Sequence, residues 1–375
     1  MIKLYDENSD LNLIIKTAGN SCNINCKYCF EKIKNVANYQ INPQDLKNIL
    51  NSIKKKCSIV FHGGEPLIIG KKNFCNLLNV IREYFPKKVN IVRIQTNGTL
   101  IDNEWLDIIY NKYKDLNIEI AISLDGNEYM NQLRVDYNGI NTFKKVRTSY
   151  RLLEKWGKSA GMLSVISKKS LNYYNEYINF ISSIPNIKFV KINALFNIEN
   201  NKLTKDSITP IEYANFIENI AIIYIKTKLY KKLAIEPLLS ILQRINNIES
   251  RYCNYSCRKC FNFICIYPDG KIGPCDCLSI NEFELTNLNN LSKSIFLEDT
   301  IIKTISSTKY NTLNEIISKC NNCDIQNFCN GGCLSQRYYF KNNKNLYENY
   351  CLSKHKLFEC FSKLFINKKE YTNND

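Results

Sequence analysis

Residues 22 to 29 read Cys-Asn-Ile-Asn-Cys-Lys-Tyr-Cys, which puts cysteines at positions 22, 26 and 29. This spacing lets three thiolates lie on one short loop. Three such thiolates can hold three corners of a cubane iron–sulfur cluster and leave the fourth iron open for chemistry. A structural zinc loop is one alternative, although zinc sites usually use paired Cys-x-x-Cys knuckles. Three unrelated buried cysteines are the other.

Around this stretch, short apolar runs alternate with helical patterns from residue 11 to about residue 193. The alternation predicts six parallel βα units. The predicted strands are 11–16, 58–62, 90–95, 117–123, 161–167 and 187–193. The predicted helices are 43–55, 72–84, 103–114, 141–156 and 171–183, followed by helical stretches near 208–229 and 235–247. The cysteine loop directly follows the first predicted strand, where parallel βα barrels carry their sites.

Polar motifs also follow the second, third and fourth predicted strands. They are His62-Gly63-Gly64-Glu65-Pro66, Gln95-Thr96-Asn97-Gly98-Thr99, and Ser123-Leu124-Asp125-Gly126 with Arg134 eight residues further on. Two glycines let the backbone approach a small polar ligand closely. A guanidinium can clamp a carboxylate with two parallel hydrogen bonds. Ordinary strand-to-helix turns and a surface arginine are the simpler interpretation of the same residues.

From residue 253 onward the sequence is dense in cysteines and turn signals. The spacing is Cys260-x9-Gly270-x4-Cys275, then Cys320-x2-Cys323-x5-Cys329-x3-Cys333, and Cys351 after seventeen more residues. Between the first two cysteines, residues 263–267 alternate as a strand and residues 268–271 signal a turn, which predicts a β-hairpin. A zinc ribbon is the competing interpretation of the paired cysteines.

Taken together, these motifs resemble those of the radical S-adenosylmethionine (radical SAM) enzymes, and the C-terminal part is similar to their SPASM extension. The resemblance covers about residues 12 to 355. It implies an α/β fold, a partial (β/α)6 barrel followed by a cysteine-rich SPASM domain. It also implies S-adenosyl-L-methionine (SAM), one SAM-binding [4Fe–4S] cluster and two auxiliary [4Fe–4S] clusters. We expect the barrel at residues 1–235, a helical linker at 236–252, and the SPASM domain with a C-terminal helix at 253–375.

The resemblance assigns roles to individual residues near the barrel. Cys22, Cys26 and Cys29 would hold the SAM-binding cluster. The residues implied to bind or surround SAM are Tyr28, Gly63, Gly64, Glu65, Thr96, Asn97, Ser123, Asp125 and Arg134. Relatives usually carry a His-Asp pair before this arginine, whereas the present sequence has Asn131-Gln132. This departure weakens the assignment to any one subfamily.

For the auxiliary clusters the resemblance implies two ligand sets. Cys260, Cys275 and Cys333 would serve the first cluster with an upstream cysteine, and Cys320, Cys323, Cys329 and Cys351 the second. The upstream ligand is either Cys253 or Cys257, and Cys253 is favoured because its distance from Cys260 is closer to the usual spacing of the family. The remaining cysteines, at positions 57, 75, 265, 277 and 360, are expected to be inert core thiols.

Asp276 directly follows Cys275. In anaerobic sulfatase-maturating enzymes, an aspartate just after the matching cysteine takes the proton from the substrate side chain. Burial beside clusters would raise the pKa of Asp276 enough for such a catalytic base. A turn carboxylate that accepts hydrogen bonds from nearby backbone N–H groups is the equally open alternative.

The implied activity is that of a radical SAM peptide maturase. Such an enzyme reductively cleaves SAM to a 5′-deoxyadenosyl radical and abstracts hydrogen from a residue of a ribosomally made peptide, here expected to form a crosslink such as a thioether. Formylglycine formation on a sulfatase cysteine or serine is the first alternative, which Asp276 favours and the absent His-Asp pair disfavours. A non-catalytic cluster scaffold or redox sensor is the second, which the complete set of SAM motifs disfavours. An external electron donor such as flavodoxin or ferredoxin is implied.

Composition sets the remaining bounds. The chain of 375 residues is 45% hydrophobic and 23% charged, values typical of a globular protein with an ample core. Seventeen cysteines without a secretion signal favour metal clusters over disulfides, and we expect a cytoplasmic protein.

The lysines behind the net charge of +16 are scattered, which is typical of a solvated basic surface. We expect no nucleic acid or membrane partner, and keep an acidic peptide leader as a possible ligand of this surface. Only about ten residues precede the first strand, so no separate leader-binding domain is expected.

Overall fold

The computed structural model describes residues 3–32, 34, 39–292 and 294–372, with side chains through residue 364. The strands are β1 Leu11–Lys16, β2 Cys57–His62, β3 Val89–Thr96, β4 Ile118–Ser123, β5 Gly161–Ile166, β6 Phe189–Ala194, β7 Ile198–Glu199, β8 Lys202–Leu203, β9 Ala234–Glu236, β10 Phe263–Ile266, β11 Lys271–Gly273 and β12 Thr286–Asn287. The α-helices are α1 Pro43–Asn51, α2 Lys71–Tyr84, α3 Asn103–Asp107, α4 Phe143–Lys155, α5 Tyr174–Ser182, α6 Pro210–Lys226, α7 Leu238–Ile245, α8 Ile280–Phe283, α9 Leu297–Ile305, α10 Asn311–Ser318, α11 Gln326–Cys329, α12 Leu334–Phe340 and α13 Lys344–Thr372.

Ten of these strands form one sheet, and β7 and β8 form a separate small hairpin. The order in the large sheet is β12-β11-β10-β1-β2-β3-β4-β5-β6-β9. All neighbours from β10 across to β9 are parallel, whereas β11 and β12 are antiparallel additions at one edge. The six predicted βα units are therefore present in sequence order, and the α/β fold class is confirmed.

Strand β1 shows how the sequence divides the sheet into two faces. Its residues Leu11, Leu13 and Ile15 are fully buried in the main core, which also contains residues of the surrounding helices. Ile14 packs on the opposite face with Cys265 of β10. Alternation along a strand places Lys16 on the same face as Ile14. The last residue of β1 therefore extends a charged side chain over the inner face of the sheet.

Local signals in the sequence explain where the helices begin. Asn42 caps α1, since its side chain accepts a hydrogen bond from the Gln44 backbone N–H at 2.7 Å, and Pro43 occupies the first turn without losing a needed donor. Thr209 and Glu212 form a reciprocal capping box at the start of α6. Helix α13 packs against α6 and α7, which joins the C-terminal helix to the barrel.

Two expected elements differ in the structure. The predicted helix 103–114 changes from α to π geometry at Ile108–Lys112. The stretch expected to be helical from 235 to 247 begins instead with strand β9, which pairs with β6, and only then continues as α7. Three residues of β9 were too short a pattern to distinguish from a helix by periodicity.

The predicted boundary near residue 252 is crossed by the sheet. The predicted hairpin over 263–271 is present as β10 and β11. However, β10 also pairs in parallel with β1, with Asn12 opposite Phe263 and Ile15 opposite Ile266. The division into domains stays a prediction. Backbone hydrogen bonds between β1 and β10 join the predicted barrel to the predicted SPASM domain.

Across the residues that the structure describes, the helices are all either too short or too polar to span a lipid bilayer.

This shared sheet leads to a prediction about truncation. A chain ending at residue 252 would leave the β10-facing edge of β1 unpaired and would expose the apolar inner face around Ile14. Each kcal/mol lost is expected to lower the Tm by about 2–4 °C for a protein of this size. Circular dichroism melting of the fragment and of the full chain, both without clusters, should show a large decrease in Tm or no cooperative transition. Equal melting temperatures would show that the barrel is independent of the C-terminal part.

Candidate active site

The loop carrying Cys22, Cys26 and Cys29 follows β1 and is held against the segment around Arg134. Two backbone hydrogen bonds join them, from Asn25 N to Val135 O at 2.7 Å and from Lys27 N to Leu133 O at 2.8 Å. This pairing brings the guanidinium of Arg134 beside Cys26, where each group stabilises the charged form of the other. The sequence separates these two residues by more than a hundred positions, and the loop contact brings them together.

The three thiols of the loop form one electrostatic group. Burial raises the pKa of Cys22 to about 11, and Cys26 and Cys29 add to the rise. Asn97, after β3, directs its side-chain amide toward the Cys22 sulfur at 3.7 Å. Such donors stabilise thiolate sulfur and the charge of an iron–sulfur cluster. The donor set therefore fits the predicted cluster, with Asn97 and Arg134 as its polar surroundings.

The two glycines after β2 are required by close packing against the start of this loop. A Cβ atom on Gly64 would lie 2.0 Å from the Ser21 carbonyl oxygen, and one on Gly63, where φ is +122°, would lie 2.6 Å from the Gly19 carbonyl oxygen. Hydrogen bonds from Gly64 N to Gly19 O and from Glu65 N to Ser21 O join the two segments at 3.1 and 2.9 Å. The predicted SAM-binding segment is thus fixed to the cysteine loop.

The side chain of Glu65 holds the loops after β2 and β3 together. It accepts hydrogen bonds from Thr96 Oγ1 at 2.7 Å, from the Asn97 backbone N–H at 2.7 Å and from Leu67 N at 3.1 Å. Burial raises the pKa of Glu65 to about 7, although these hydrogen bonds oppose the rise. Both carboxylate oxygens are used by the protein, so Glu65 and Thr96 fix the backbone of the loops that are predicted to bind SAM.

Tyr28, Asp125 and Arg134 form a buried chain of hydrogen bonds. Arg134 Nη1 donates to the Tyr28 hydroxyl at 2.8 Å, and that hydroxyl donates to Asp125 Oδ2 at 2.6 Å. The Nε of Arg134 is buried without a hydrogen-bond partner among the described residues. An unpaired guanidinium donor beside the cluster loop fits the carboxylate predicted for SAM. Ser123, at the end of β4, is half-buried and its hydroxyl has no hydrogen bond within the described part of the chain.

The four cysteines predicted for the second auxiliary cluster line a single cavity. Cys320, Cys323, Cys329 and Cys351 share this cavity with Arg337 and Lys354, both largely buried. Four thiolates with two cations beside them suit a cluster that carries negative charge. The structure thus brings together the residues that the spacing separates into two segments.

The predicted ligands of the first auxiliary cluster also lie near one another. Burial raises the pKa of Cys253 to about 12, and Cys333 and Cys277 are among the neighbours that add to the rise. Cys253 in turn is one of the neighbours that raise the pKa of the Cys275 thiol. Cys257 instead lies against Gly331 and near the thiols of Cys320 and Cys329, between the two cysteine groups. The Cys260 thiol has both Cys257 and Cys253 as neighbours, so Cys253 as the fourth ligand stays a proposal.

One expectation about the remaining cysteines is wrong. Cys57, Cys75 and Cys265 are buried and Cys360 is half-buried, whereas Cys277 is exposed. The sulfur atoms of Cys275 and Cys277 and a carboxylate oxygen of Asp276 lie within 4.8 Å of one another. Cys277 therefore lies at the first auxiliary site, where an apolar sequence context would not have placed it.

The surroundings of Asp276 contradict the expected rise in its pKa. Its Oδ2 accepts a hydrogen bond from Lys16 Nζ at 3.3 Å and lies 3.6 Å from His62 Nδ1. Burial alone would raise the pKa of Asp276, but the ammonium groups of Lys16 and Lys34 outweigh burial and hold that pKa well below its usual range. Asp276 is thus a carboxylate at physiological pH.

The sequence alone gave no role to three residues around Asp276, which are Lys16, Glu31 and His62. Lys16 Nζ also donates to Glu31 Oε1 at 2.6 Å and to His62 Nδ1 at 2.9 Å. Lys16 and His62 end two neighbouring parallel strands and lie opposite each other in the register. Polar residues at the carboxyl ends of parallel strands are the signal that would have identified them.

Comparison with known proteins agrees with this geometry. Residues 17–180 match the model of the Radical SAM superfamily. A cysteine-type anaerobic sulfatase-maturating enzyme of Clostridium perfringens (strain 13 / Type A) is 27% identical over 365 residues, which cover 93% of this chain and 95% of that protein. A serine-type anaerobic sulfatase-maturating enzyme of Bacteroides thetaiotaomicron is 23% identical over 354 residues, which cover 88% and 83% of the two chains.

A solved structure has the same fold. Native anSMEcpe with bound AdoMet and Cp18Cys peptide superposes with a TM-score of 0.80 at 24% identity, over 97% of this chain and 100% of that one. Residues 17–180 of this enzyme thus form a radical SAM domain, and nearly the whole chain is similar to anaerobic sulfatase-maturating enzymes. Its cofactors are SAM and [4Fe–4S] clusters.

The packing of Gly64 predicts the effect of adding a methyl group. Gly64→Ala should separate the SAM segment from the cysteine loop, and a displacement of about 1 Å in a reactive site can cost roughly 100-fold in rate. We expect a loss of this order in dithionite-dependent release of 5′-deoxyadenosine. Gly161→Ala is the control, since neither glycine has a positive φ and a Cβ on Gly161 would make only ordinary contacts, the nearest at 3.5 Å. Equal activity of the two variants would contradict the packing argument.

The first auxiliary ligand set predicts which single cysteine controls iron content. Cys253→Ala should lose up to about four irons per chain from anaerobically reconstituted protein, because a [4Fe–4S] cluster needs its fourth ligand for retention. Cys257→Ala and Cys277→Ala should keep the wild-type content. Iron and sulfide assays measure this directly. Loss of iron in Cys257→Ala but not in Cys253→Ala would reverse the assignment.

Proposed function

We propose that this enzyme oxidises a cysteine side chain of a protein or peptide substrate to formylglycine, as a maturase of the anaerobic sulfatase type. The observation that carries the proposal is the position of Asp276. Its carboxylate follows the predicted cluster ligand Cys275 and contacts Lys16 and His62, whose strands end at the SAM site. A substrate side chain placed beside Asp276 would therefore lie between the SAM-binding loop and the first auxiliary cluster.

The oxidation must remove one hydrogen atom, one proton and one electron from the cysteine side chain. When bound, SAM and its cluster supply the 5′-deoxyadenosyl radical that takes the hydrogen atom from Cβ. Asp276, held as a carboxylate, accepts the proton from sulfur, and an auxiliary cluster held by Cys275 would take up the electron. Water then replaces sulfur, which leaves as hydrogen sulfide, and the aldehyde remains. The electron count closes, since one electron enters at SAM cleavage and one is recovered.

Several observations support a cysteine rather than a serine as the substrate. The low pKa of Asp276 makes it a weak base, and a thiol gives up its proton far more readily than an alcohol does. Sequence identity is also higher to the cysteine-type relative than to the serine-type one, 27% against 23%. The similarity to sulfatase-maturating enzymes of both types, over 95% and 83% of their lengths, is what ranks formylglycine formation above the thioether crosslink expected from the sequence alone.

Two partners complete the proposal. An external electron donor such as flavodoxin or ferredoxin would reduce the SAM-binding cluster. The net charge of +16 would favour a substrate with acidic flanking residues. If added salt left the affinity for such a peptide unchanged, this preference would be wrong.

The proposal predicts a defined product. Reconstituted enzyme with SAM and dithionite should convert the cysteine of a sulfatase-derived peptide to an aldehyde, detected as a mass change in which sulfur is replaced by oxygen with loss of two hydrogens. Asp276→Asn removes the proton acceptor, and loss of a positioned base typically costs about 100- to 10,000-fold in rate. Product analysis by mass spectrometry, with an aldehyde-specific hydrazide as confirmation, measures both effects.

The same experiment separates the alternatives. A product that has lost two hydrogens and kept its sulfur would indicate a thioether crosslink instead. Wild-type activity in Asp276→Asn would remove Asp276 from the reaction. A matched control is Asp269→Asn, since Asp269 lies in the turn of the same hairpin and is ion-paired only with Lys271.

A further inference from the structure

A buried ionic cluster lies at the carboxyl ends of β1 and β2. It consists of Lys16, Glu31, His62 and Asp276, which we call the Lys16 cluster. The Lys16 side chain has no solvent exposure, and its ammonium donates to Glu31 Oε1, His62 Nδ1 and Asp276 Oδ2 at 2.6, 2.9 and 3.3 Å. One cation thus serves three acceptors from three other parts of the chain.

The donor set of this cluster resembles a metal site, but the ammonium already fills it. Oxygen and nitrogen atoms of Glu31, His62 and Asp276 lie within 4.8 Å of one another. Two buried carboxylates so close together would repel without a cation between them. Lys16 supplies that cation, and Lys34 adds a second contact to Glu31 at 2.8 Å. The two ammonium groups balance the two carboxylates, so no metal ion is needed.

The location of the cluster connects it to the chemistry. Glu31 comes two residues after Cys29, His62 directly precedes the Gly63-Gly64 segment, and Asp276 directly follows Cys275. Each acceptor of Lys16 is therefore on a segment assigned to the SAM-binding cluster, to SAM itself or to the first auxiliary cluster. A residue that fixes all three segments at one point also fixes the space between them.

The hydrogen bonds of Lys16 also determine what the neighbouring groups can do. The ammonium donates to His62 Nδ1, so a neutral His62 carries its proton on Nε2 and offers a donor there. Burial and Lys16 keep His62 neutral by lowering its pKa to about 4. Oδ1 of Asp276 is not bonded to Lys16 and lies 4.0 and 3.8 Å from the sulfur atoms of Cys275 and Cys277. The bonded oxygen anchors the carboxylate, and Oδ1 remains the oxygen that a substrate can approach.

We propose that Lys16 is the positioning residue of the reaction, whose ammonium anchors the Asp276 carboxylate and the His62 ring against the cysteine side chain of the substrate. This inference rests on the proposed function for the identity of the substrate, but not for the anchoring itself. Asp276 accepts the sulfur proton through Oδ1, and His62 Nε2–H donates to the sulfur.

The test compares Lys16→Met, which keeps the length of the stem and removes the charge, with Lys16→Arg, which restores a cation. Lys34→Met is the control for charge without direct contact, because Lys34 bonds Glu31 and acts on Asp276 and His62 only through space. In a crystal structure of Lys16→Met, Asp276 should move by about 1 Å or more, a displacement that can cost roughly 100-fold in rate. In Lys34→Met, Asp276 should stay in place.

Kinetics give a readout that a purely structural role would not produce. Lys16→Met should lower kcat for aldehyde formation about 100-fold with little change in KM, while peptide-dependent release of 5′-deoxyadenosine continues. The ratio of deoxyadenosine to aldehyde should therefore rise, and Lys16→Arg should recover part of the coupling. Iron content equal to wild type would show that all clusters are retained.

The outcomes separate the two proposals. If wild type converts neither a cysteine nor a serine peptide, the proposed function fails, and the crystal structures still decide whether Lys16 anchors Asp276. If Asp276 keeps its position in Lys16→Met, or the coupling ratio stays at the wild-type value, the inference is wrong. Should Lys16→Met fail to fold because two buried carboxylates then have only Lys34 to balance them, the double variant Lys16→Met/Glu31→Gln removes one of the two negative charges and leaves the Asp276 anchor absent for the same measurements.

Discussion

The parallel pairing of β1 with β2 on one side and β10 on the other is the constraint on which the arrangement depends. This register places Lys16 opposite His62 and brings the hairpin that precedes Asp276 next to the strand that leads into the cysteine loop. Three segments assigned to different cofactors meet there because one strand pairs with two partners. The pairing of β10 with β1, together with the packing of α13 on α6 and α7, fixes the C-terminal cysteines relative to Cys22, Cys26 and Cys29.

The buried ion pairs of Lys16 with Glu31 and Asp276 follow from that register. A buried lysine is stable as a cation only when it is paired, and removing one partner of a buried ion pair commonly costs about 3–5 kcal/mol. Lys16 has its pKa raised well above its usual value, since Glu31 and Asp276 outweigh the opposing effect of burial. The same interaction explains why Asp276 is held ionised although burial by itself predicts the reverse. Position in the fold, rather than burial alone, decides the protonation state.

Much of the barrel could be predicted from the sequence, because six apolar strands and their helices have clear periodicity and the cysteine spacings are specific. The four cysteines that line one cavity also agree with the ligand set implied by the family resemblance. The strand pairing of β10 with β1 could not be predicted, since a four-residue strand carries no information about which neighbour it joins. The predicted rise in the pKa of Asp276 was wrong for the same reason. Lys16 and His62 are 260 and 214 positions away from Asp276 in the sequence, and only the fold makes them neighbours. The exposure of Cys277 likewise depends on a turn whose direction the sequence does not specify.

The central claim is that the hydrogen atom removed by this enzyme comes from the Cβ of a substrate cysteine held beside Asp276. The direct measurement is mass spectrometry of 5′-deoxyadenosine after turnover with a peptide whose target cysteine carries deuterium at Cβ. The account predicts that deoxyadenosine gains one deuterium in step with formation of the aldehyde. Aldehyde formation without deuterium in deoxyadenosine, or deuterium transfer only from peptides labelled at a different residue, would contradict it.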